Sequence, residues 1–98
     1  MKQSKEYLRT ICECFVLDSV VLDVLKSGNQ KEDLKIIELL RSNINVDFNL
    51  LTIGGFSEKE IMAECDIIID RFTDDEWLKK AYDHYERIQD NFKNNRYI

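Results

Sequence analysis

No proline interrupts the 98-residue chain, and only three glycines punctuate it. That scarcity excludes collagen-like and low-complexity classes, and a hydrophobic share of 44% is more than disordered segments carry. Histidine occurs once, at His84, and tryptophan once, at Trp77. Basic residues are also short, with 14 Lys+Arg against 19 Asp+Glu and a net charge of -5. A chain of that sign repels a phosphate backbone. The length suits one hydrophobic core, so a single helical domain over residues 1–98 is expected.

The opening residues Met1 to Glu6 lack the apolar stretch of a secretory signal. The most apolar run, Cys14 to Leu25, is too short to span a bilayer and carries Asp18, Ser19 and Asp23. Three cysteines make an odd count, and small secreted domains use even disulfide frameworks. The expectation is reduced thiols in the cytoplasm, packing as small hydrophobes.

What is present is helical grammar, stated twice. In Phe56-Ser57-Glu58-Lys59-Glu60-Ile61, Ser57 is placed as N-cap and Glu60 as its reciprocal partner, with Phe56 and Ile61 as a hydrophobic staple. Phe72-Thr73-Asp74-Asp75-Glu76-Trp77 repeats the phrase around Thr73 and Glu76. The pattern predicts an all-α bundle with main helices over about 4–26, 30–42, 58–71 and 74–93. Ser27-Gly28 should stop the first, and Asn94-Asn95 the last. In the second, Leu34, Ile37, Leu40 and Ile44 form one side, extended by Ile36 and Leu39. Residues 44–55 are ambiguous: Ile44, Val46, Phe48 and Leu50 alternate like a strand, yet a lone strand has no partner. A short helix from Phe48 to Ile53, capped by Asp47 and closed by Gly54-Gly55, is the preferred reading.

In the third helix, Ile61, Met62, Cys65, Ile68, Ile69 and Phe72 share an arc, opposite Lys59, Glu60, Glu64, Asp66 and Asp70 with Ile67 among them. In the fourth, Trp77, Leu78, Ala81, Tyr82, Tyr85, Ile88 and Phe92 form the apolar stripe. Asp75/Lys79, Glu76/Lys80 and Asp83/Arg87 are spaced for ion pairing. The first helix has no wide polar face, so surplus apolar surface there predicts a homodimer through helix 1.

Catalytic chemistry is sparsely supplied. His84 has no nucleophile or orienting partner implied by spacing. Di-metal bundle sites need Glu-x-x-His pairs, which the sequence lacks. Cys12 and Cys14 lie about 200° apart on a helix and cannot share one zinc ion. Gly54-Gly55 stands alone, without a phosphate-cradling loop around it. The expectation is therefore no enzyme, no metal and no cofactor. A helix-turn-helix DNA regulator turning at 55–57 is the alternative. Against it, the would-be recognition helix carries Glu58, Glu60, Glu64 and Asp66 beside a single Lys59.

Charge is distributed unevenly. Residues 1–43 balance seven bases with seven acids, whereas residues 44–98 hold seven bases and twelve acids. From Glu58 to Glu76 the net is -6. Glu60, Glu64, Asp66, Asp70, Asp74 and Asp75, with Ile67 as an apolar anchor, are the candidate partner-binding residues, facing a basic protein surface. In general character the chain resembles the small acidic helical proteins that bacteria and their phages use as inhibitors, immunity proteins or antitoxins. That resemblance implies a protein partner, with nucleic-acid mimicry as a close variant, while the negative charge and the short apolar run lead to the expectation of no direct contact with nucleic acid or membrane.

Overall fold

In the computed structural model, which describes residues 2–28 and 34–93, the chain forms four α-helices. They are α1 (Lys5–Gly28), α2 (Leu34–Ile53), α3 (Glu58–Ile69) and α4 (Asp74–Lys93). No strand occurs among the described residues, so the fold is all-α as the periodicity predicts. The expected helix start at Gln30 and the stop at Asn94-Asn95 lie outside the described residues. No described helix is long and apolar enough to cross a membrane.

α1 is the hub, and α2, α3 and α4 each pack against it. One apolar cluster joins Leu8, Cys12 and Val16 of α1 to Leu51, Phe56, Ile61, Cys65, Ile68 and Trp77. A second joins Val21 and Leu25 to Ile36, Leu40, Ala81 and Ile88. This arrangement accounts for the missing polar face of α1. Its remaining large apolar side chains (Ile11, Phe15, Leu17, Val20, Leu22 and Val24) are half-buried against those clusters, and none is exposed. Three neighbours from the same chain thus cover much of the helix 1 surface through which a dimer was expected.

The ambiguous stretch resolves into a single helix. α2 runs unbroken through Asn43 and Asp47 to Ile53, replacing the expected helix over 30–42 and the separate segment over 44–55. Ile36, Leu40 and Leu51 turn inward. The strand-like alternation carries no pairing, because Val46, Phe48 and Leu50 fan out around the exposed side of α2. Leu34, expected on the inner face, is 59% exposed.

Both capping boxes form. Ser57 Oγ accepts from the Glu60 N–H at 3.2 Å, and a Glu60 carboxylate oxygen accepts from the Ser57 N–H. Thr73 and Glu76 repeat the exchange, and the staple rings Phe72 and Trp77 meet edge to face at 5.2 Å. The α2–α3 turn is fixed from outside. Gly54 accepts from the Gln3 N–H at 2.8 Å, Tyr7 donates to the Leu50 carbonyl, and Gly55 sits at φ 95°.

Candidate protein-binding face

The acidic residues singled out by sequence divide into two groups. Glu60 is half-buried and spent on local structure, capping α3 and pairing with Lys2 across the turn. The Lys2 ammonium and then the Ser57 backbone N–H hold its carboxyl below the usual carboxylate range. Glu64 is buried, with its Oε1 3.5 Å from Arg9 Nε on α1. Its placement on an outer binding face is corrected by that contact. The buried stripe of α3 is Ile61, Glu64, Cys65 and Ile68, while Met62 and Ile69, expected inside, are 53% and 46% exposed. The stripe is rotated toward Glu64, whose carboxylate is accommodated because a cation lies opposite it.

Asp66, Asp70, Asp74 and Asp75 are all exposed, and Ile67, between the first two in sequence, is 56% exposed. No ion pair engages these four carboxylates among the described residues. Two of the cations nearby in sequence are directed elsewhere. Arg71 donates to Glu13 on α1 at 2.8 Å, and the Lys80 ammonium lies 4.3 Å from the centroid of the Phe72 ring. The expected α4 ion pairs are thus corrected: Glu76 caps its own helix, and Arg87 Nε donates to the Asp83 carbonyl instead of its carboxylate. The result is four carboxylates without an ion pair among the described residues.

A polar cluster that periodicity did not reveal lies where the two apolar clusters meet. His84 Nε2 is 2.9 Å from Asp18 Oδ1, joining α4 to α1. Asp47 of α2 is close enough that burial, and then the Asp18 charge, push its carboxyl up to about 6. Its Oδ2 is buried without a hydrogen-bond partner. One signal was present in the sequence: Asp18 interrupts the most apolar run, and Asp47 is the only charge between Ser42 and Ser57. Cys14, four residues before Asp18, is exposed, and burial followed by the Asp47 and Asp18 charges raises its thiol. Those carboxylates oppose thiolate formation, so the group makes a poor nucleophile.

Cys12 and Cys65 are buried free thiols, and burial, followed by the neighbouring Cys65, pushes Cys12 up to about 12. No group of three or more His, Cys, Asp or Glu side chains suited to a metal ion occurs among the described residues. A groove of about 250 Å³ opens between α1, α3 and α4 over Leu17, Ile68 and Trp77. Its rim balances Glu13 and Asp83 against Lys80 and Arg87. As for the helix-turn-helix reading, the exposed face of α3 offers Lys59 beside Asp66 and Asp70, an arrangement that repels phosphate. Comparison of the chain with protein families, curated proteins and solved structures finds no match in any of the three.

Proposed function

We propose that this protein is a non-enzymatic binding module of the inhibitor, immunity or antitoxin kind, docking a positively charged protein surface. The observation that carries the reading is the set of four exposed carboxylates at Asp66, Asp70, Asp74 and Asp75, without an ion pair among the described residues, on the same stretch of chain as the exposed Ile67. A face of one sign speeds encounter with an oppositely charged partner and disfavours others. Ile67 supplies the apolar anchor that such polar faces place near their centre. Glu60 and Glu64, first grouped with this face, support it from behind: one fixes the helix start and the other ties α3 to α1.

The test is parallel affinity capture with the native protein and an Asp66→Lys, Asp70→Lys variant, followed by titration of the captured protein. The expected outcome is a basic partner retained by the native chain and lost by the folded variant, with association slowing as salt rises. Equal binding by both, insensitive to salt, removes the proposal.

A further inference from the structure

The charge-free half of α2 is a second surface, separate from the acidic face. Between Ser42 and Ser57 the sole charged residue is Asp47, in a chain whose charged fraction is 34%. Asp47 turns partly inward beside Asp18, so the exposed side of this half-helix carries no charge. It presents Val46, Phe48, Leu50 and Ile53, which are 51%, 37%, 40% and 82% exposed, among the amides and hydroxyls of Ser42, Asn45, Asn49 and Thr52. Depletion of charge around an apolar centre is the compositional mark of an interface core.

The spacing is also informative. Leu39, Asn43, Val46, Leu50 and Ile53 follow one another at steps of four, three, four and three, the seam of a helix that packs lengthwise on another helix. Among the described residues this seam has no such mate, since α2 packs on α1 through a different side, at Ile36, Leu40 and Leu51. Leu39 and Asn43 are half-buried at its edge, and the seam opens fully toward Ile53.

We propose that the α2 seam binds the same seam of a second copy of this chain, forming a two-fold symmetric dimer. Charge selects the occupant. Two copies, each at -5, repel wherever acidic surfaces face one another, and like charges set opposite each other across an interface cost several kcal/mol. The uncharged seam lets copies meet without that penalty, and a two-fold contact requires a surface compatible with itself. A basic partner gains nothing from an uncharged face and is drawn to Asp66 and Asp70. The three exposed apolar side chains of the seam, Val46, Leu50 and Ile53, form a patch smaller than a standard interface, so the association is of the weak, transient kind.

Light scattering coupled to size exclusion, over about a hundredfold range of protein concentration, tests this. The native mass should rise from 11.7 kDa toward twice that value. A Val46→Lys, Ile53→Lys variant should stay monomeric, with unchanged helix content by circular dichroism. Because Ile53 is the most exposed of these side chains, Ile53→Lys alone provides a second variant with minimal risk to folding, and it should weaken association at least tenfold. Met62→Lys and Ile69→Lys on α3, and Asp66→Lys on the acidic face, should leave the dimer intact. The proposal is overturned by a native protein that stays monomeric throughout, by seam variants that dimerise as well as the native chain, or by disruption from the α3 variants instead.

Discussion

Asp18 and His84, 66 residues apart in sequence, meet with 2.9 Å between Oδ1 and Nε2 and tie α1 to α4 between two apolar clusters. A polar contact at that depth fixes how far along α1 the fourth helix can sit. Sliding α4 by one turn would move the imidazole away and leave the Asp18 carboxylate, only 6% exposed, without its partner. Asp47 completes the group from α2 but gains no such bond.

The unpartnered Asp47 carboxyl makes stability depend on pH in a direction opposite to ordinary acid unfolding. Its pKa is raised from 3.8 to about 6, so the folded state holds the proton more tightly than the unfolded one. The associated stability is fully present below about pH 4 and is lost as pH rises through about 6. At ~1.4 kcal/mol per unit the full effect is about 3 kcal/mol, which solvent at this half-buried position cuts to about 1 kcal/mol. Asp47→Asn should therefore raise neutral-pH stability by about 1 kcal/mol and remove that slope. Urea midpoints of both proteins from about pH 4 to 8 decide it. Parallel curves would count against the assignment.

Reversing charge on α3 should give two distinct outcomes. Asp66→Lys and Asp70→Lys alter exposed positions and should change stability by less than about 0.5 kcal/mol. Glu64→Lys puts an ammonium in a buried site facing Arg9 and should cost about 3 kcal/mol or more. Equal denaturant midpoints for Glu64→Lys and Asp66→Lys would contradict the burial of Glu64.

The two capping boxes should be separable. Ser57→Ala and Thr73→Ala each remove a side-chain acceptor for a helix-start N–H and should each cost about 1 kcal/mol. The caps lie at different helices with no shared partner, so the double variant should lose the sum. Thermal unfolding of the two single variants and the double variant provides the check.

Gly54 should tolerate no side chain. A Cβ there would fall 2.9 Å from Tyr7 Cε1 and 3.1 Å from the Leu50 carbonyl oxygen, which itself accepts from the Tyr7 hydroxyl. Gly54→Ala must displace that ring and should cost at least about 1 kcal/mol. Gly55→Ala, at φ 95°, is strained by its backbone alone, by a further roughly 1–2 kcal/mol. An undiminished thermal midpoint in Gly54→Ala would show that the ring packs elsewhere.

Thiol titration should distinguish the cysteines by position. Only the exposed Cys14 should react with a neutral aromatic disulfide reagent in the folded protein, and slowly, because partial burial and then the nearby carboxylates hold its thiol protonated. Cys12 and Cys65 should react only after denaturant is added. Rapid modification of all three without denaturant would overturn the core assignment.

The helix class and both internal helix starts were legible in the chain because they rest on local chemistry. A capping residue, its partner three positions on, and a flanking staple lie within one turn, so Ser57, Glu60, Thr73 and Glu76 could be assigned without knowing the fold. Tertiary structure alone decided what lay opposite each helix. Periodicity marked α1 as apolar all round, but only packing showed that α2, α3 and α4 cover it. Residues 44–53 joined α2 because Leu51 shares a buried side with Ile36 and Leu40, whereas local alternation pointed to another class. Glu64 turned inward because Arg9, 55 residues earlier, stands opposite it. A helical wheel ranks side chains by their own polarity, and burial depends equally on the charge and shape of the neighbour that arrives.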